Sequence, residues 1–287
     1  YIYDVMFGEF LGINYQTRIR ADPETTVISV CGDSSAKRLV IHEGLFATSP
    51  DKWLTADSLP HRPLDKWMLP DGFCDTPRVS SEIPVIYGQR VTKDSYYTEC
   101  DGDIQLGLDI FGSTFFMLTR YEEMVKSDRD EHDRFPAATS LAFQEGFLER
   151  PIVNEYIEIL WTCMKRLWPW LGRKERKYQV CLSHDVDSPL AVARKPWPLV
   201  LRSCVADVLM RKDLDLARRR INARRWARHG GYSNDPFNTF EFIMDVSEQY
   251  ALRSSFYFMS AGTPSKYDDR YCIRDPWIRE LIRSVFE

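Results

Sequence analysis

The sequence predicts an α/β protein built of two units. Short apolar runs with strand-like alternation occur along the chain between segments whose apolar residues repeat at helical spacing. The chain has 287 residues, of which 44% are hydrophobic, so it can form two buried cores. A charged run at residues 173–177 follows the last helical pattern of the first half, and we place the boundary there, between residues 1–172 and 177–287. The alternative is a charged loop inside one domain.

The first unit has the pattern of a mixed α/β domain. Residues 1–11 fit the end of an amphipathic helix, helical spacing returns after Asp109, and Pro151 opens a further helix. Four strands are expected, at residues 26–30, 38–41, 83–87 and 104–108. The helix after Pro151 has an apolar stripe that we assign to the core: Ile152, Tyr156, Ile159, Leu160, Cys163, Met164 and Leu167.

The second unit begins with the residues that carry the most chemistry. Val180 and Leu182 alternate along a short apolar strand, which we expect to end where Ser183, His184, Asp185 and Asp187 come together before a proline. Parallel α/β sheets and barrels place their active sites at the carboxyl ends of their strands, so the sequence predicts a site here. The alternative is a structural turn, since Asp and Ser are common turn residues.

The S-H-D-V-D sequence at residues 183–187 resembles the first motif of the polysaccharide deacetylases, the NodB-homology group of carbohydrate esterases, in its H-D-V-D form. Residues 235–250 and 254–259 look like the first helix and second strand of the deacetylase barrel. The resemblance implies that residues 177–287 form the first part of a (β/α) barrel. We expect the chain to be a fragment that ends before the two metal-binding histidines of that family.

The first unit adds to this resemblance. Residues 7–12, 109–113, 119–123 and 147–151 look like the uncharacterised domain that commonly precedes H-D-V-D deacetylases. The similarity covers most of the first unit. No chemistry can be read from the residues of this domain.

The resemblance implies a metal-dependent hydrolase that removes N-acetyl groups from a carbohydrate or glycoconjugate. In such enzymes a divalent cation, usually zinc, activates water and polarises the amide carbonyl, while a carboxylate takes the proton. An ungapped comparison gives Asp185 the position of the general base and leaves Val186 at the usual metal-ligand position. Because residues i and i+2 of a strand share a face, we hypothesise that Asp187 binds the metal. His184 would join the site or orient a carboxylate.

A non-catalytic module is the main alternative, because a barrel can keep its fold and bind a glycan or a partner without chemistry. Val186 at the metal position favours it slightly. The remaining histidines have no spacing that would replace the missing ligands, and we interpret them as surface or half-buried polar residues: His42, His61, His132 and His229.

An insertion at about residues 190–234 carries a basic run that we expect to be helical. Four of its arginines are candidates for contact with anionic lipid or another phosphate group, including nucleic acid: Arg218, Arg219, Arg224 and Arg225. The alternative is a solvent-exposed helix paired with nearby acids. The net charge of −4 argues against a dedicated nucleic-acid protein.

Two further observations bear on location. No segment contains the roughly 20 uninterrupted apolar residues of a membrane span. The seven cysteines are scattered without a C-x-x-C pair, which favours reduced core thiols over a disulfide framework. The sequence therefore predicts a cytoplasmic protein without a transmembrane segment.

Overall fold

The structure is a computed structural model of the chain, and it describes residues 1–19, 24–74, 76–175, 177–192, 195–227, 232, 235–260 and 271–286. The chain divides into two compact units, Tyr1–Arg176 and Lys177–Glu287. Both units contain helices and strands, so the prediction of a mixed α/β fold is confirmed.

A four-stranded sheet forms the centre of the first unit. Its strands lie in the order β1-β2-β6-β5, with β2 parallel to β6 and the two outer pairs antiparallel. A separate antiparallel pair is made by β3 and β4. The bounds are β1 Thr25–Ile28, β2 Leu39–His42, β3 Asp65–Met68, β4 Glu82–Val85, β5 Tyr97–Cys100 and β6 Asp103–Leu106.

The first unit also contains helices, and the last of them packs on the four-stranded sheet. A π-helix, Asp4–Leu11, opens the chain and ends at Gly12 in the left-handed conformation. The α-helices are α1 Ile110–Leu118, α2 Tyr121–Val125, α3 Leu141–Gln144 and α4 Ile152–Leu167. Helix α4 contacts α1, β2 and β6, and all seven residues of its predicted apolar stripe are buried, which confirms that stripe as core.

Four of the six strands follow the predicted positions to within three residues, whereas β3 and β5 were not predicted. In β3 only Trp67 is buried, and β5 ends in two exposed residues, Glu99 and Cys100. Such segments lack the run of alternating apolar residues on which strand prediction depends. They become strands because a neighbour supplies backbone hydrogen bonds.

The second unit contains a two-stranded parallel sheet. Strand β7, Leu182–Val186, pairs in full with β8, Ser254–Phe258, and between them lie α5 Trp197–Leu209, α6 Leu214–Trp226 and α7 Phe240–Gln249. Helix α8, Pro276–Phe286, follows. The predicted end of the first strand is wrong: Val180 precedes β7, and the strand continues through the motif because each of its five residues has a partner in β8. The described strands do not form a closed barrel.

Candidate functional site

Strand β7 separates the motif residues between its two faces. Leu182, His184 and Val186 are half-buried or buried, whereas Ser183 and Asp185 are exposed. Asp187 comes directly after the strand and is also exposed. Because side chains alternate along a strand, Asp185 and Asp187 lie on its solvent-facing side and His184 lies on the opposite side. Among the described residues, neither aspartate has an ion-pair partner.

His184 is held on the half-buried side by a chain of hydroxyl groups. Its Nε2 lies 3.2 Å from Ser254 Oγ, which lies 2.7 Å from Ser247 Oγ. Ser247 donates its only hydroxyl proton to the carbonyl of Ile243 at 2.7 Å. Ser254 must then donate to Ser247 and accept from His184, so the ring carries its proton on Nε2. The ring also stacks on Phe256, with 5.1 Å between ring centroids.

The structure therefore brings the two aspartates to one side of the strand and places the histidine on the other. In the part of the chain that the structure describes, His184 forms no hydrogen bond or ion pair with a carboxylate, so the predicted partnership stays a prediction. Its contacts tie β7 to β8 and α7.

Tyr271 lies at the carboxyl ends of both strands. Its hydroxyl donates to the carbonyl of Val186 at 2.5 Å and accepts from the backbone N–H of Met259 at 2.8 Å. Burial raises the pKa of Tyr271, and the nearby charge of Asp187 raises it further. Tyr271 thus fixes the end of β7 beside Asp187. Sequence reasoning missed it, because no local pattern marks a tyrosine that closes two strands.

Asp235 fixes the segment that follows the motif. Its side chain is 2% exposed and accepts from the backbone N–H groups of Ala191 at 2.7 Å, Val192 at 3.1 Å and Phe237 at 3.0 Å. A buried carboxylate needs such donors to offset its desolvation. The sequence predicts Asp235 at a helix start, but α7 begins at Phe240, and the aspartate instead holds a loop more than forty residues earlier.

A complete zinc site is not present in the described residues. Zinc hydrolases use about three protein ligands and leave one position open. In the part of the chain that the structure describes, no three His, Cys, Asp or Glu side chains are grouped so that they could hold a metal ion. Asp185 and Asp187 offer oxygen ligands that suit a divalent cation, but they are two.

The other histidines lie away from these aspartates in sequence. His42 is half-buried, and its Nδ1 is 2.6 Å from Gln89 Nε2. His61 and His132 are exposed. His229 lies outside the described residues.

The first unit contains a buried carboxyl pair that the sequence did not reveal. Asp109 is fully buried and accepts from the backbone N–H groups of Gly44 at 2.7 Å, Leu45 at 3.0 Å and Gly112 at 2.7 Å. These bonds join the start of α1 to the end of β2. Glu43 is the residue directly after β2.

Glu43 carries the proton of this pair. Thr26 donates its hydroxyl to Glu43 Oε1, whereas Oε2 is buried without a hydrogen-bond partner. Burial and the adjacent charge of Asp109 raise the pKa of Glu43 to about 8. Burial also raises the pKa of Asp109, but its three amide donors favour its charged form. The raised pKa of Glu43 therefore places a proton on this carboxyl group at neutral pH.

The four predicted arginines of α6 have different surroundings. Arg224 donates from Nε to the carbonyl of Lys195 at 2.7 Å and lies over the ring of Trp197 at 5.5 Å. Arg218 forms an exposed ion pair with Asp215 at 3.6 Å. The other two are exposed and have no ion-pair partner among the described residues: Arg219 and Arg225. Two of the four are thus available to an anionic group.

Fold and site together define a two-unit mixed α/β protein with an exposed aspartate pair beside a parallel strand pair. The chain belongs to DUF7033, a family of unknown function, whose model matches residues 1–169. No curated protein and no solved structure matches the chain. The family match falls in the first unit, whereas Asp185 and Asp187 lie in the second.

Proposed function

We propose that the chain is part of a metal-dependent N-deacetylase that removes acetyl or other acyl groups from a carbohydrate or glycoconjugate. The observation that carries the proposal is the solvent-exposed placement of Asp185 and Asp187 at the carboxyl end of β7, beside a second parallel strand. This is where (β/α) barrels carry their chemistry. The order β7, α5, α6, α7, β8, α8 also supports the proposal, because it has the strand–helix alternation of such a barrel with the α5–α6 pair inserted after β7.

In this proposal Asp185 is the general base and Asp187 is a metal ligand. A bound divalent cation, zinc in the simplest case, would lower the pKa of a water molecule and polarise the substrate carbonyl. Asp185 is exposed and has no ion-pair partner among the described residues, so its side chain is accessible to a substrate and a water molecule. Tyr271 positions the backbone next to Asp187. The further ligands would come from outside the described residues.

A glycan- or partner-binding module without catalysis is the second candidate. It is favoured by Val186, which occupies the position of the usual metal ligand in the polysaccharide deacetylases that the motif resembles, and which is buried in the core of the second unit. A buried apolar side chain at this position cannot bind a metal ion. The two proposals differ in whether Asp187 takes over the role of this missing metal ligand.

Metal content of the full-length parent separates the two. We expect about one equivalent of zinc or a similar ion in the wild type, loss of the metal in Asp187→Asn, and retention in Asp185→Asn with loss of deacetylation. Asp245→Asn, an exposed aspartate of α7, is the matched control and should change neither property. A folded wild type that binds no added zinc would support the binding module.

We also propose that the exposed arginines of α6 contact an anionic lipid or phosphate group, and that the protein is cytoplasmic. None of the described cysteines forms a disulfide, as expected in a reducing compartment. No helix in the described ranges has the length and apolar character to cross a membrane. The proposed partners are therefore a carbohydrate substrate and an anionic surface, with no dedicated binding of nucleic acid.

A further inference from the structure

The hairpin formed by α5 and α6 exposes large apolar side chains at its tip. Leu209, Met210 and Leu214 flank the turn between the helices and are 72, 82 and 60% exposed. The two residues of the turn that follow Met210 are basic, Arg211 and Lys212. Isolated exposed apolar residues are normal, but a contiguous group marks an interaction surface.

The apolar surface continues along α5. Leu201, Val205 and Val208 are exposed, and their spacing of four and three residues puts them on one face of the helix. Val200 and Cys204 on another face form the core of the hairpin. A helix that is apolar on both its packed and its exposed face needs a second apolar environment.

Hydrogen bonds of Asp207 hold the two helices and the turn of the hairpin together. Asp207 of α5 is fully buried and accepts from Arg220 Nε of α6 at 2.5 Å and from Arg211 of the turn. The backbone N–H of Asp213 also donates to the carbonyl of Asp207 at 3.0 Å. Because this buried charge is paired on both oxygens, the hairpin has a defined geometry. The position of the exposed tip is therefore fixed by the contacts within the hairpin.

Charge distinguishes the hairpin from the rest of the chain. Residues 195–227 contain nine Lys or Arg against three Asp, in a chain whose net charge is −4. Of the three aspartates, Asp207 is neutralised inside the hairpin and Asp213 caps α6 through the N–H of Leu216. The hairpin thus has a strongly positive surface next to an apolar tip.

We infer that the α5–α6 hairpin docks on an anionic membrane surface, with Leu209, Met210 and Leu214 inserted among the lipids and Arg219 and Arg225 on the headgroups. A bilayer with acidic lipids complements both properties, because it places negative charge directly above an apolar phase. A protein groove would satisfy the apolar tip without using the positive charge. This inference rests on the anionic contact proposed above and is independent of the deacetylase proposal.

Binding to vesicles tests the inference on the intact protein. We expect cosedimentation with vesicles in which about one lipid in three is phosphatidylserine, and little with pure phosphatidylcholine. Binding should fall as salt is raised, because exposed charges are screened. The Arg219→Glu/Arg225→Glu variant should reduce binding at least about tenfold, since each basic residue at the surface contributes about 1 kcal/mol.

Met210→Asp tests the insertion of the tip. Removing one inserted side chain should weaken binding about tenfold. Met124→Asp is the matched control, because Met124 is 71% exposed on α2 of the other unit and undergoes the same chemical change. Unfolding curves of all variants confirm that they remain folded.

The vesicle results distinguish insertion of the tip from an anionic contact alone. Equal binding of Met210→Asp and Met124→Asp, with loss only in the arginine variant, would keep the anionic contact and reject insertion. Binding that neither salt nor the arginine variant changes, or no binding to either vesicle at low salt, would overturn both. Loss of deacetylase activity in a separate assay bears on neither outcome.

Discussion

The two units carry carboxyl pairs in opposite environments. Glu43 and Asp109 lie far apart in sequence and meet in the interior of the first unit, where burial raises the pKa of both carboxyl groups. Asp185 and Asp187 are two residues apart and are exposed at the end of a strand in the second unit. The first pair is largely removed from solvent, whereas both members of the second pair are in contact with it. Proximity alone therefore does not determine what a pair of acids does.

The largest effect is expected from Asp109→Asn. An asparagine has one acceptor oxygen and no charge, so at least one of the three buried N–H groups loses its partner. We expect the free energy of unfolding of the first unit to fall by about 3 kcal/mol in denaturant titrations. Asp71→Asn, at an exposed site, should cost less than about 0.5 kcal/mol. An equal effect of both would show that the buried bonds do not stabilise the fold.

The proton on Glu43 predicts how stability changes with pH. Below the unfolded value of 4.5 both states hold the proton; between 4.5 and about 8 only the folded state does, so the free energy of unfolding falls as pH rises. The limiting slope is about 1.4 kcal/mol per pH unit. Above about pH 8 the loss is complete.

Glu43→Gln should remove that slope, because a glutamine side chain has no carboxyl group that binds or releases a proton in this pH range. The free energy of unfolding of the wild type and of the variant is measured between pH 5 and 9, at intervals of about one pH unit. The difference between them should grow with pH in favour of the glutamine variant. Parallel curves would mean that Glu43 is ionised in the folded protein.

Tyr271→Phe should have an intermediate effect in the second unit. It removes the hydroxyl that joins the carbonyl of Val186 to the N–H of Met259, leaving both groups in need of a partner. We expect a loss of about 1 to 3 kcal/mol in unfolding free energy. Tyr257→Phe in β8, at an exposed ring, is the control and should be close to neutral.

Local sequence patterns predicted much of the fold but not the long-range contacts. The apolar stripe of α4 and the alternating apolar residues of β6 can be recognised in the sequence, because an element with one buried side has apolar residues at regular intervals. The contacts of Asp109 with Gly44 and of Asp235 with Ala191 join distant segments and leave no periodic trace. The spacing of Asp185 and Asp187 itself predicts that they share one side of the strand, and both are exposed. His184 shows the limit of that reasoning, since an adjacent residue points to the other face.

The smallest change in the free energy of unfolding is expected from substitution of the exposed pair, Asp185 and Asp187. Asp185→Asn and Asp187→Asn remove charges that have no ion-pair partner among the described residues, so each should change the free energy of unfolding by less than about 0.5 kcal/mol without added metal. Added zinc should then stabilise the full-length wild type, because a ligand that binds only the folded state adds to its stability. If Asp187→Asn lost this zinc effect while keeping its intrinsic stability, the exposed pair would be a binding site and the buried pair a structural one. A destabilised Asp187→Asn that still responded to zinc would reverse that assignment.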